Sequence, residues 1–176
     1  MAKSIIETNE NEVYLSPFVK LEKGKAPGMQ VQLLSENNGR KEYAVIFKKG
    51  DEAFLGLHEF AEQYQITAAS FTAIGASSDI TLGWFCPERK MYKKLPSQGQ
   101  VEISSLFGNI AVLNDKSLVH AHAVVSFPDG TTRAGHLLGL TVLPTLEVMV
   151  VVEPTTLRKR IDQEIGIAVI DPSLTK

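Results

Sequence analysis

The feature that most constrains the fold of this chain is a predicted β-hairpin over residues 118–138. Small apolar residues alternate with other residues along its first half, as in a strand that buries one face. The alternating set is Val119, Ala121, Ala123 and Val125. We therefore expect these four side chains to face the core and the residues between them to face outward.

The turn of the hairpin is readable from three residues, Pro128-Asp129-Gly130. Proline suits the second position of a type I turn, and glycine suits the left-handed position that follows such a turn in a three-residue loop. This loop makes Phe127 and Thr131 the closing pair. The sequence thus predicts not only a hairpin but also its register.

That register brings together three of the four histidines of the chain. His120 and His122 share a face because a strand alternates, and the predicted turn sets His136 opposite His122 with His120 on the diagonal. Facing Cβ atoms lie ~5 Å apart. Imidazole is the commonest transition-metal ligand, and three histidines with an open position are typical of catalytic zinc sites. The alternative is three polar side chains on a solvated strand face.

Composition narrows the class of protein. The 176 residues are enough for one domain, and a formal net charge of −2 disfavours a protein that mainly grips nucleic acid non-specifically. Cys86 is the single cysteine, so no intrachain disulfide forms. No secretory signal and no apolar run of membrane-spanning length is evident. We expect a cytoplasmic protein without a membrane partner.

The pattern along the chain predicts an N-terminal extension at residues 1–39 and a domain at residues 40–176. One main helix is expected at about residues 51–64, opened by an acidic first turn, and His58 is assigned to helix packing or solvent. Strands are predicted from there on, with a closing hairpin at the end: residues 69–77, 80–85, 90–94, 100–113, 118–126, 132–138, 145–152, 157–160 and 167–170. The predicted fold class is α+β, a mostly antiparallel, sandwich-like domain with one main helix.

Other charged residues are weaker candidates for function. Glu147 is the only acid in an apolar strand, and we expect either a structural hydrogen bond or support of the metal as an outer partner or general base. Two basic clusters are candidates for DNA contact, although such runs are usually solvated surface. They are Arg89, Lys90, Lys93 and Lys94, and Arg158, Lys159 and Arg160.

Several segments in order resemble the plant and prokaryote conserved (PPC or PCC) domain, over about residues 43–170. The segments are residues 72–85, 101–110, 119–122, 129–130, 135–137 and 145–148. In plants this domain follows an AT-hook in nuclear DNA-binding proteins, and in prokaryotes it usually stands alone. This chain has no Arg-Gly-Arg-Pro segment of the AT-hook type. It also departs from the family pattern at Gln100, where plant members have arginine, and at Ala134, where the family has glycine.

The resemblance implies an α+β domain that assembles into a homotrimer and holds a divalent metal, generally zinc, on His120, His122 and His136. Three functions compete at this point. The first is a standalone metal-binding domain with a small molecule or anion at the metal, and the second is a DNA-binding or transcription-associated module. The third is a metal-free structural scaffold. Whether the protein is an enzyme is left open by the sequence.

Overall fold

A computed structural model describes residues 6–9, 12–18 and 21–174, and within them the chain forms mostly antiparallel strands with one α-helix, as predicted. Residues 1–5, 10–11 and 19–20 of the predicted N-terminal extension lie outside the described residues, as do residues 175–176. The elements are β1 (Ile6–Asn9), β2 (Glu12–Leu15), β3 (Gln30–Asn37), β4 (Arg40–Lys48), α1 (Ala53–Gln63), β5 (Ala68–Cys86), β6 (Met91–Leu113), β7 (Lys116–Ser126), β8 (Thr132–Val152), β9 (Lys159–Ile161), β10 (Ala168–Ile170) and a 3-10 turn (Pro172–Leu174).

The main sheet has the strand order β1-β2-β6-β5-β8-β4-β3. Strand β7 pairs with both β6 and β8, so that β5, β6, β7 and β8 close into a ring. The predicted core residues of β7 are buried, each no more than 4% exposed. Strand β3 pairs with β4 at the edge of this sheet. The predicted boundary between an N-terminal extension and the domain, at residues 39 and 40, stays a prediction.

Three strands are longer than the sequence indicated, because the predicted breaks are irregularities within continuous strands. The Ser77–Asp79 interval is a register shift inside β5. Pro96 pairs with Thr81 of β5 on one side. On its other side β6 has no partner at this point, because Pro96 lies between the residues that pair with β2 and those that pair with β7. The missing N–H of Pro96 therefore costs no hydrogen bond to a second strand. Residues 143–145 of β8 bulge opposite β5, which accommodates Pro144.

Helix α1 begins at its N-cap, Glu52. The Glu52 carboxylate accepts hydrogen bonds from the backbone N–H of Leu55 and of Leu140, both at 2.6 Å, and so ties the helix start to β8. The expected acidic first turn is therefore wrong in detail, since the acid caps the helix from outside it. Leu57, Phe60 and other buried residues face the core. Among the residues described, no helix is long and apolar enough to cross a bilayer.

The predicted closing hairpin is present as the antiparallel pair β9 and β10. It is attached to the end of β6, where the backbone N–H of Val112 donates to the carbonyl of Leu157 at 2.8 Å and Val112 forms a parallel bridge with Arg158. The start of β9 is thereby fixed beside the strand that precedes the histidine hairpin.

Candidate metal centre

The hairpin turn has the predicted form. The backbone N–H of Phe127 donates to the carbonyl of Thr131, and the N–H of Gly130 donates to the carbonyl of Phe127, both at 2.9 Å. Gly130 has a φ of 81°, the left-handed conformation expected there. Strands β7 and β8 consequently pair with His122 opposite His136, which confirms the register.

His120, His122 and His136, here called the three-histidine cluster, converge on one point. One ring nitrogen from each can be chosen so that all three lie within 4.8 Å of one another. The ring centroids are 5.1 to 5.4 Å apart. Tetrahedral zinc with Zn–N bonds of ~2.0 Å needs nitrogens ~3.4 Å apart, so modest side-chain rotations bring the rings into coordinating geometry.

Burial keeps two members of the cluster uncharged. Desolvation is the main cause that lowers the pKa of His136 to about 3 and that of His120 to about 4, and the other cluster histidines contribute to the shift of His136. Both side chains are neutral at pH 7, which is the form that binds a metal. The His136 Nδ1 atom is also buried without a hydrogen-bond partner among the described residues. This donor set fits a divalent transition metal.

Aromatic side chains hold two of the rings. Tyr92 of β6 stacks on His136 with centroids 4.3 Å apart and planes at 14°. The Tyr92 ring lies over Gly83, where a Cβ atom would come within 3.2 Å of it, so the glycine leaves room for the stack. Phe107 lies against His122, its cross-strand neighbour, at 6.4 Å. Packing of this kind limits the orientations that the imidazoles sample.

Glu147 is not brought to the cluster. It is exposed on β8 and pairs with Ile74 of β5, whereas His136 pairs with Gly83 of the same strand. Those two partners are nine positions apart on β5, which corresponds to roughly 30 Å of strand. Within one chain, the structure therefore leaves Glu147 outside the three-histidine cluster.

The basic candidates are mostly engaged by nearby groups. Lys93 pairs with Glu12, Arg158 with Asp115, and Arg160 with Asp162 and Asp171. Arg89 lies over the ring of Tyr14, and the Lys90 ammonium donates to the backbone carbonyl of Gln163 at 3.3 Å. Lys94 is half-buried on β6.

Lys159 differs from the other six because it is buried, with 6% of its surface exposed. A side chain with so little exposed surface offers less to a DNA duplex than its neighbours do, and its assignment to a DNA-contacting cluster stays a prediction. Asn109 pairs with His120 across β6 and β7, and the sequence alone did not indicate that it lies beside the cluster. The strand pairing of β6 with β7 was the signal that would have revealed it.

His58 packs edge-to-face on Phe54 at 5.0 Å, in line with its predicted role in helix packing. Burial, aided by the charge of Lys159, lowers its pKa to about 4 from an ordinary 6.5. Below pH 6.5 the unfolded chain therefore binds a proton at His58 that the folded chain does not. The free energy of unfolding that depends on His58 is thus complete above that pH and is lost as the pH falls toward 4.

We expect His58→Gln to remove this contribution. Between about pH 7.5 and pH 5, the metal-free wild-type protein should lose about 2 kcal/mol more unfolding free energy than the variant. Urea denaturation at the two pH values in the presence of a chelator measures the difference. Equal losses in the two proteins would contradict a buried, neutral His58.

Taken together, the fold and the site define an antiparallel β domain that carries a three-histidine cluster on the outer face of a hairpin. The chain belongs to the Plants and Prokaryotes Conserved (PCC) domain family, whose model matches residues 34–153. Among curated proteins, none matches the sequence.

Solved structures similar to this chain come from bacteria and archaea. A candidate DNA-binding protein of Bacteroides thetaiotaomicron is 27% identical with a TM-score of 0.75, over 81% of this chain and 98% of that one. Another from Ralstonia eutropha is 31% identical with a TM-score of 0.71, over 85% and 96% of the two chains. A protein from Archaeoglobus fulgidus, described as metal-containing, is 25% identical with a TM-score of 0.68, over 81% and 97%.

Proposed function

We propose that this PCC-domain protein binds one divalent metal ion, zinc, through His120, His122 and His136. The observation that carries the proposal is the convergence of one nitrogen from each ring within 4.8 Å. Its support from known proteins is the similar structure from Archaeoglobus fulgidus that is described as metal-containing.

Three neutral imidazoles leave an open coordination position, at which a bound zinc ion would polarise a carbonyl or acidify a water molecule. The contribution of the chain is to hold its ligands uncharged and oriented. Burial keeps His120 and His136 deprotonated, and the Tyr92 stack fixes the ring plane of His136. A small molecule or anion at the open position is the interaction that this arrangement favours.

Elemental analysis tests the proposal directly. The protein is purified without a metal-affinity tag, equilibrated with zinc and freed of excess ion. We expect about one zinc ion per chain, because each chain supplies one set of three histidine ligands. A content below about one-tenth of an ion per chain would instead favour a metal-free scaffold. A tenfold or larger loss of metal affinity is what disruption of a zinc site causes, so an intact site should not show so low a content.

We further propose that the protein is a homotrimer, as its family resemblance implies. What supports self-association is a row of exposed apolar side chains on the outer face of the sheet, at Ile74, Phe107 and Met149, which are 63%, 53% and 47% exposed. Apolar surface concentrated in this way is typical of contact faces. Light scattering should give about three times the chain mass of 19.3 kDa. A monomer mass would contradict the proposal.

DNA binding is the second candidate, and what supports it is the description of the two similar bacterial structures. Against it, acidic groups of this chain pair with Lys93, Arg158 and Arg160. Fluorescence anisotropy with a labelled duplex measures it, and binding through phosphates requires a steep loss of affinity with salt. Undetectable binding at physiological salt would exclude this function for the chain.

A further inference from the structure

We propose that Asn109 is a positioning residue of the three-histidine cluster, whose side-chain carbonyl oxygen accepts a hydrogen bond from the ring nitrogen of His120 that does not bind the metal. This role rests on the proposed metal function and adds to it a residue that is not itself a ligand. An acceptor in this place decides which nitrogen of His120 carries the proton, and therefore which nitrogen is left to bind the ion.

Strand pairing places Asn109 directly beside His120. The two residues are partners in the antiparallel ladder of β6 and β7, and the next pair on the same face is Phe107 with His122. Paired residues of such a ladder have Cβ atoms ~4.5–5.5 Å apart, which lets an amide oxygen meet an imidazole nitrogen. The strands are also close here, since a Cβ atom at Gly108 would lie 2.3 Å from the backbone carbonyl oxygen of His120.

The side chain of Asn109 needs a donor. Its Oδ1 atom is buried without a hydrogen-bond partner in the described part of the chain. Asparagine is disfavoured in strands, yet Asn109 lies on a strand paired on both sides, with His120 on one side and Ser70 of β5 on the other. A buried acceptor left unsatisfied costs free energy, and a ring N–H beside it would remove that cost.

His120 is the ligand whose orientation the aromatic side chains leave open. Tyr92 stacks on His136, and Phe107 lies against His122. Within the described residues, the ring contacts of His120 are with the other two cluster histidines. Metal-binding histidines normally donate their second ring N–H to a fixed acceptor, and this bond orients the ring. The neighbouring amide oxygen is such an acceptor.

Removing the acceptor should have opposite effects on the two states of the protein. In the metal-free chain the Asn109 oxygen has no partner, so an apolar side chain of the same shape leaves the fold as stable as before or more stable. In the metal-bound chain the same change leaves His120 without its orienting acceptor and lowers the affinity for zinc. A residue that only supported the fold would instead lose stability without the metal.

The experiment compares the full-length wild type with Asn109→Leu, Asn109→Asp and Ser70→Ala. Leucine keeps the shape of the side chain without an acceptor, and aspartate keeps the oxygen. Ser70 is the neighbour of Asn109 on the strand away from the histidines and is exposed, so its change is the matched control. By chelator competition, we expect Asn109→Leu to weaken zinc binding by at least about tenfold, Asn109→Asp to bind at least as tightly as the wild type, and Ser70→Ala to stay within about threefold.

Two further measurements separate positioning from support of the fold. The urea midpoint of metal-free Asn109→Leu should equal or exceed that of the wild type. In heteronuclear NMR of the zinc-loaded protein, the ring N–H of His120 should exchange slowly with water in the wild type and in Asn109→Asp, and rapidly in Asn109→Leu.

Three results would overturn the role of Asn109 alone: equal zinc affinity in Asn109→Leu and the wild type, a lower urea midpoint of metal-free Asn109→Leu, or rapid exchange of the His120 ring N–H in the zinc-loaded wild type. A wild type that takes up no zinc would contradict the metal proposal and the role of Asn109 together.

Discussion

Substituting His122 with alanine is expected to lower the affinity for zinc by at least about 100-fold and to leave the fold unchanged. Removing a residue that only orients a metal ligand lowers the metal affinity about 10- to 100-fold, so removing a ligand itself should lower it at least as much. The side chain of His122 is exposed on β7, and its removal therefore opens no cavity. Competition with a chromophoric chelator measures the affinity, and circular dichroism checks the fold.

The remaining histidine provides the matched control. His58 lies on α1 outside the cluster, so His58→Gln should retain the wild-type affinity for zinc within about threefold. If His122→Ala kept full zinc occupancy, the assignment of the site to this hairpin would be wrong. Equal losses in both variants would point to non-specific binding by surface histidines.

The second large effect is expected from Gly108→Ala, which should destabilise the protein by about 3 kcal/mol and weaken zinc binding. A Cβ atom at Gly108 would lie 2.3 Å from the backbone carbonyl oxygen of His120 and 2.4 Å from the Phe71 ring. Because the first obstacle is backbone, β7 must move at the residue that supplies a ligand. Urea denaturation and a zinc titration of the same preparation measure the two effects.

Gly139→Ala is the matched control for this change. Its Cβ atom would meet Glu52 at 3.4 Å, an ordinary contact, and its φ is not in the left-handed region. We expect a stability change within about 0.5 kcal/mol and unaltered zinc affinity. Similar losses in the two variants would mean that any added methyl group disturbs these strands, and that the close approach at His120 has no special role.

The sequence predicted the hairpin well because its determinants are local. The turn residues 128–130 fix the register through backbone conformation alone, and the register fixes which histidines face each other. The ends of the strands were predicted poorly, because proline ordinarily interrupts a strand. Only the pairing of the neighbouring strands shows that Pro96 and Pro144 lie where a missing N–H breaks no ladder.

The site was predictable only in part for a related reason. His120, His122 and His136 are close in sequence, whereas Lys159 lies on β9, which docks on the end of β6, and is buried there. Nothing in a run of basic residues distinguishes a buried lysine from its exposed neighbours. Tyr92 was missed likewise, because its stack on His136 depends on the glycine that separates them on β5.

The three-residue turn also sets which sequence changes this site can survive. Adding or deleting one residue there would shift the register of β8 by one residue, so that Gly135 or Leu137 would lie opposite His122 in place of His136. Leu137 is fully buried, so the same slip would expose a core side chain. Length variation in this loop is therefore expected in steps of two residues, and the spacing between the second and third histidines serves as a diagnostic of which relatives keep the centre.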